Sequence, residues 1–135
     1  MTVDINLGFE RRPEGLPSFL NSKGYVCVRT PGVRTQRNDA RTYAPRDGSG
    51  WPSIDYYPKS TPTREGEEPD WASVGLNIRS AVVLSYGWHD DIADAKAERL
   101  SEEIMERFWG VKYEESDDSF VSYTGEELQP VDAEE

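Results

Sequence analysis

Residues 71–110 read WASVGLNIRSAVVLSYGWHDDIADAKAERLSEEIMERFWG, and they predict a long strand followed directly by a helix. Apolar side chains recur at every second position over residues 74–86, interrupted by Ser80, which is typical of a strand with one buried face. We predict one strand with a bulge near residues 77–80, because a hairpin there would need a glycine. Residues 81–84 are apolar on both faces, which favours a central position in the sheet.

Helical spacing replaces this alternation at residues 90–109, which predict an amphipathic helix. Asp90 or Asp91 can accept hydrogen bonds from the free backbone N–H groups of the first turn, and Gly110 is expected to end the helix. The predicted buried stripe consists of Ala93, Ala97, Leu100, Ile104 and Phe108.

The rest of the chain supplies shorter elements. Alternation predicts a strand over residues 3–9, and a second strand over residues 25–29 follows a short helix within residues 13–23. With one or two strand pieces after the long helix, the element order is that of an α+β domain with a mainly antiparallel sheet. Its two helices lie on one face, in a ferredoxin-like order. We assign residues 1–124 to this single domain and residues 125–135 to an acidic tail that is expected to be disordered.

Residues 33–70 form a long insertion rich in proline, glycine and arginine. Aliphatic side chains are scarce in it, so we expect no regular core element to run through it. The Asp-Gly pair at residues 47–48 is a turn signal, however, and it favours a hairpin in which residues 42–44 pair with residues 53–57.

Charge is distributed unevenly along the chain. The net charge is −11, and residues 65–135 hold twenty acidic against five basic residues, whereas residues 1–64 hold six against ten. Such a field repels phosphate, so we expect no bulk binding of nucleic acid and no membrane partner. No apolar run approaches a membrane span, no signal peptide is evident, and the one cysteine, Cys27, is expected to be buried in an apolar run. These features favour a cytoplasmic protein.

The sequence offers few groups for catalysis. His89 is the one histidine, and it precedes Asp90 and Asp91 at the strand-to-helix turn, where it could act as a general base or help to hold a cation. Adjacent carboxylates before a helix are also ordinary N-terminal caps. We therefore assign no catalytic residue, no metal and no cofactor, and we favour a protein that is not an enzyme.

An arginine-rich segment is the predicted anion-binding site. Its arginines, interleaved with or followed by aromatic residues, are Arg34, Arg37, Arg41 and Arg46. Guanidinium groups beside aromatic rings suit phosphate, carboxylate or a stacked base. The alternative is that these arginines pair with the acidic half of the same chain.

The long helix carries a ridge of carboxylates. Steps of four residues place on one side of the helix Asp94, Glu98, Glu102 and Glu106. Like charges at this spacing each cost about 0.2–0.5 kcal/mol, and acids near the C-terminal end also oppose the helix dipole. More acids follow the helix at Glu114, Glu115, Asp117 and Asp118. A solvated face is the ordinary explanation, but a surface made for a basic partner would also look like this.

Three functional hypotheses follow. The first is an acidic binding protein that blocks a basic site on another macromolecule, as inhibitors, immunity proteins and anti-defence proteins do. The eight acids named above would bind the partner, with Trp88 or Trp109 as an aromatic anchor. The second is a structural or assembly adaptor, such as a virion component, that uses residues 33–70 as an arm. The third is a small enzyme or anionic-ligand sensor that uses the arginine-rich segment and His89. The oligomeric state stays open.

Overall fold

The computed structural model describes residues 2–29, 41–49, 51–58, 69–114 and 118–130. These residues form an α+β fold with an eight-stranded antiparallel sheet and two α-helices. The strands are β1 (Thr2–Phe9), β2 (Tyr25–Arg29), β3 (Arg41–Pro45), β4 (Ser53–Tyr57), β5 (Ser80–Gly87), β6 (Val111–Glu114), β7 (Ser119–Ser122) and β8 (Glu127–Leu128). The helices are α1 (Leu16–Ser22) and α2 (Asp91–Phe108), and a short 3-10 helix spans Trp71–Val74.

The strand order in the sheet is β2-β3-β4-β5-β1-β6-β7-β8. The central strands β1 and β5 pair along their whole length, from Thr2 opposite Gly87 to Phe9 opposite Ser80. The predicted central position of residues 81–84 is therefore confirmed. The ferredoxin-like order is not confirmed, because β3 and β4 lie between β2 and β5, and β7 and β8 extend the sheet beyond β6.

The main core lies between the sheet and the two helices. Alternate side chains of β1 and β5 face α2, and Leu16 and Leu20 of α1 join the same buried cluster. The predicted stripe of α2 is buried at its first four positions and half-buried at Phe108. Asp90 caps the helix as predicted, since its Oδ1 accepts a hydrogen bond of 3.0 Å from the backbone N–H of Ala93.

The predicted long strand over residues 74–86 is wrong in its first half, because β5 begins only at Ser80. The 3-10 helix before it is closed by Gly75, whose φ of 81° is a left-handed conformation that glycine adopts readily. The apolar side chains of this half pack in a second cluster that comprises Trp71, Val74, Leu76, Ile78, Val111, Tyr113, Phe120 and Leu128.

This second cluster lies on the sheet face that points away from the helices. Gly8 alternates with the core residues Leu7 and Phe9, so it faces the other way. A Cβ at Gly8 would come within 2.9 Å of the Trp71 indole, so glycine lets the ring lie directly on β1. The alternation before Ser80 is thus real, but it buries side chains beneath the sheet instead of extending β5.

The predicted hairpin is confirmed, because β3 and β4 pair with Tyr43 opposite Ile54. Both of these side chains and Tyr56 are buried in the main core. The expectation that no regular core element runs through residues 33–70 is therefore wrong for this hairpin, whose aromatic residues supply the bulk that aliphatic residues usually provide.

Two further expectations concern the edges of the sheet. The expected burial of Cys27 is wrong, because Cys27 is exposed on β2, the first strand in the described strand order. At the other end, β8 lies within the predicted tail and pairs with β7.

Candidate docking surface

The outward side of α2 is divided into two flanks of different charge. One flank is a row of four acids, which we call the acidic flank: Asp94, Glu98, Glu102 and Glu106. The opposite flank carries Lys96 and Arg99, both exposed. Glu102 and Glu106 are exposed too, and among the described residues neither side chain makes a hydrogen bond or an ion pair.

A lysine of the sheet neutralises part of the acidic flank. Lys112 of β6 donates a hydrogen bond of 3.0 Å to Glu98 Oε1, and its Nζ also lies 3.3 Å from Glu114 Oε2. Burial alone would lower the pKa of Lys112, but the hydrogen bond to Glu98 and the charges of both glutamates raise it above its usual 10.5. The structure therefore brings together two of the acids that were predicted to bind a partner, Glu98 and Glu114. Both contact Lys112, a cation of the chain itself.

The N-terminal member of the flank contacts a buried tyrosine. Burial, followed by the hydrogen bond and charge of Asp94, raises the pKa of Tyr86 to about 12. The phenol therefore remains neutral beside this carboxylate under ordinary conditions.

The acids after α2 do not form one group with the acidic flank. Glu114 faces the helix side together with Lys112, but Asp118 Oδ1 accepts a hydrogen bond of 2.8 Å from the hydroxyl of Tyr113. Tyr113 belongs to the second cluster, on the other side of the sheet. Glu115 and Asp117 lie outside the described residues. On the helix side of the sheet, Val121 of β7 lies opposite Lys112, and Glu127 of β8 lies opposite Val121. The acidic surface therefore continues across the sheet as far as β8.

An exposed tryptophan stands at the N-terminal end of α2. Trp88 is 56% exposed and stacks on His89, with 4.7 Å between ring centroids. A small cleft of about 310 Å³ adjoins it, and its lining includes Asp90, Asp91 and Asp94. Among the described residues, no group of three or more histidine, cysteine, aspartate or glutamate side chains could hold a metal ion.

The structure does not bring the described part of the arginine-rich segment to His89. Arg41 lies on β3 opposite Tyr56, and the Arg46 guanidinium donates a hydrogen bond of 2.6 Å to Asn21 Oδ1. Neither residue lines the cleft beside His89, and neither makes an ion pair with an acid of the described chain. Arg34 and Arg37 lie outside the described residues, as do residues 33–40, 50 and 59–68 of the proposed adaptor arm.

A second cluster of arginines, which the sequence did not single out, surrounds a cleft of about 960 Å³ at the C-terminal end of α2. Arg11 and Arg12 lie in the loop after β1. Arg79 directly precedes β5, and Arg107 lies in the last turn of α2. The adjacent pair Arg11-Arg12 is the only local signal for this cleft. The other two arginines are distant in sequence.

Two aromatic side chains complete this cleft, Trp109 and Tyr123, with exposures of 63% and 45%. Their rings are stacked, with 6.1 Å between centroids and 21° between planes. Trp109 has a φ of 62°, a left-handed conformation that costs a bulky residue about 1–2 kcal/mol. Gly110 is needed for space and not for its own φ, because a Cβ there would lie 2.6 Å from the buried ring of Phe9.

Comparisons with known proteins found no matching family model, no matching curated protein and no matching solved structure. In the described part of the chain, no helix is both long and apolar enough to span a membrane.

Proposed function

We propose that the protein is an acidic binding protein that docks the acidic flank of α2 on a basic site of another macromolecule. The observation that carries this proposal is the state of Glu102 and Glu106. Both are exposed, and neither has a cationic partner among the described residues. They repel each other at a spacing of four residues, and Glu106 lies in the last turn, where acids oppose the dipole. The helix gains nothing for its own stability from these two charges.

The extent of the acidic surface, more than the spacing of the flank, supports a partner that ordinarily binds phosphates. Residues four apart on a helix are separated by about 6 Å along its axis. One strand of a DNA duplex carries one charge per about 3.4 Å of axis, so a single row of carboxylates is sparser. Glu114 and Glu127, on the same side of the sheet, add acids beside this row. Inhibitors of nucleases, immunity proteins and anti-defence proteins would use such a surface to occupy a cationic site.

Trp88 gives this surface an aromatic anchor. It lies at the end of α2 from which the acidic flank starts, beside the cleft that Asp94 lines. In protein interfaces, buried tryptophans contribute most of the affinity, whereas exposed charges at the rim mainly raise the association rate and fix the orientation. We therefore expect Trp88 to set the dissociation rate and Glu102 and Glu106 to set the salt dependence.

The test is titration calorimetry against a panel of purified basic nucleases and other cationic nucleic-acid-binding proteins, each at low and at physiological salt. For a protein that binds, the double variant Glu102→Gln/Glu106→Gln should weaken binding about fivefold at low salt, with a smaller effect at higher salt. Trp88→Ala should weaken binding by about tenfold or more at either salt concentration. An oligonucleotide should compete with the protein for the partner.

A matched control separates the acidic flank from the overall charge. Glu14→Gln/Asp70→Asn removes the same number of charges from two exposed positions outside the flank and outside the acids beside it. It should change binding by less than about twofold, because screening confines charge effects to about 10 Å. Equal losses in the two double variants, or no binding to any member of the panel, would contradict the proposal.

A further inference from the structure

We infer that the arginine-lined cleft at the C-terminal end of α2 binds a nucleoside phosphate. Its arginines would hold the phosphate, and Trp109 and Tyr123 would stack on the base. This site is independent of the acidic flank and of its proposed partner, since the two share no residue.

The charge of the cleft is the first ground. Its lining holds four arginines against two glutamates, Glu10 and Glu14, in a protein whose net charge is −11. Within the described chain no carboxylate lies within ion-pair distance of any of the four guanidinium groups. Glu10 is also occupied otherwise, because its Oε2 accepts a hydrogen bond of 3.0 Å from the backbone N–H of Asn77. An anion entering the cleft would therefore meet cations that no internal acid neutralises.

Two of the guanidinium groups are held in place by aromatic rings. Arg107 lies over Phe19, 5.4 Å from the ring centroid, and over Phe108 at 5.9 Å. The Arg12 guanidinium lies close enough to the Tyr56 hydroxyl to oppose the rise in the pKa of Tyr56 that burial causes. A guanidinium whose position is fixed before binding loses less entropy when it grips a phosphate in its two-pronged geometry.

The aromatic wall is the second ground, and it points to a ligand with a flat ring. A large side chain is kept exposed at position 109 although the backbone there is in the left-handed conformation that disfavours it. The stacked pair of Trp109 and Tyr123 is open to solvent in the same cleft as the arginines. Bases stack on such rings irrespective of their sequence.

The size and the surroundings of the cleft favour a mononucleotide over a nucleic acid. About 960 Å³ is within the range of small-molecule sites. A long polyanion would extend beyond the cleft into the field of a protein with a net charge of −11, which repels it. A single nucleotide places all of its charge beside the arginines.

The experiment is calorimetry of the full chain with ADP, inorganic pyrophosphate, adenosine and a single-stranded oligonucleotide, with tryptophan fluorescence as a second readout. ADP should bind and quench the fluorescence, and pyrophosphate and adenosine should each bind at least about tenfold more weakly. The variant Arg11→Gln/Arg79→Gln should weaken ADP binding about tenfold, because both side chains are exposed and contribute charge without packing. Trp109→Gly should weaken it by a similar factor, and glycine accepts the left-handed backbone, so folding is preserved.

Matched controls come from α2 and from the turn that precedes it. Lys96→Gln/Arg99→Gln removes two cations from outside the cleft, and Trp88→Ala removes the exposed tryptophan at the other end. Neither should change ADP binding by more than about twofold. No binding of ADP up to about 5 mM, pyrophosphate binding as tight as ADP, tighter binding of the oligonucleotide, or equal losses in variants and controls would each overturn the proposal.

Discussion

The two ends of α2 are built alike but are charged oppositely. Trp88 precedes the helix and stacks on His89, whereas Trp109 follows it and stacks on Tyr123. At each end one member of the stacked pair has a left-handed backbone, with a φ of 77° at His89 and 62° at Trp109. The first end is lined by three aspartates, and the second by four arginines.

The helix dipole explains part of this difference. Asp91 and Asp94 lie in the first turn of α2 and Arg107 in the last, where each charge stabilises the helix. The dipole does not explain the acids Glu102 and Glu106 in the second half of the helix, nor the arginines that other segments bring to the Trp109 end. The dipole thus gives a structural role to Asp94 and Arg107, but not to the other charges on which the two functional proposals rest.

The largest effect should come from the backbone that positions Trp109. Gly110→Ala would place a Cβ 2.6 Å from the Phe9 ring, which is almost fully buried and has little room to move. We expect a loss of about 3 kcal/mol in the free energy of unfolding, measured by urea denaturation.

Gly87 offers the matched position at the Trp88 end. A Cβ there meets nothing closer than 4.0 Å, so Gly87→Ala should change the stability by less than about 1 kcal/mol. Similar losses in the two variants would contradict the view that only the Trp109 end depends on close packing against β1.

At the Trp88 end of α2, the environment of Tyr86 should make the free energy of unfolding depend on pH. The fold raises the pKa of Tyr86 from 10.0 to about 12, so the folded state favours the neutral phenol. This contribution is complete below pH 10 and is lost as the pH rises towards 12, because the phenol of the unfolded chain ionises first. We expect Tyr86 alone to lower the free energy of unfolding by roughly 2 kcal/mol over this interval, measured by urea denaturation at successive pH values.

The variant Tyr86→Phe tests whether Tyr86 causes this loss of stability. The quantity to compare is how steeply the free energy of unfolding falls with pH, and not its absolute value. Burial also raises the pKa of Tyr25, Tyr43 and Tyr56, so the variant should retain a shallower decline in the same direction. A decline as steep as that of the original protein would show that the Tyr86–Asp94 contact does not hold the phenol neutral.

Local patterns in the sequence predict most of the secondary-structure elements but not the order of the strands in the sheet. The alternation of β1, the cap and stripe of α2 and the turn between β3 and β4 each follow from neighbours within a few residues. The alternation before Ser80 led to the wrong prediction of a strand there, because any extended segment with one apolar side shows a period of two residues. It does not say whether that side is covered by helices or, as at Trp71, lies against the other face of the sheet.

The candidate sites depended on contacts that local patterns do not encode. The sequence predicts the acidic flank on one side of α2. No residue near Glu98 in the sequence indicates that Lys112 contacts it, because this contact depends on the pairing of β6 with β1. The same holds for the arginine cleft, where Arg79 approaches the loop after β1 only because β5 lies beside β1 in the sheet.

The smallest effect tests whether the acidic flank exists at the expense of the helix. Glu106→Gln removes a charge that repels Glu102 and opposes the dipole, so the protein should become more stable by about 0.5 kcal/mol at low salt. The neighbouring Glu103 is the control, since its Oε2 lies 3.2 Å from Lys23 Nζ; Glu103→Gln should lower the stability by a similar amount. Urea denaturation at two salt concentrations would measure both changes, which should shrink together as salt rises. A loss of stability in both variants would mean that Glu106 supports the fold as the aspartates of the first turn do, and the acidic flank would no longer need a partner to explain it.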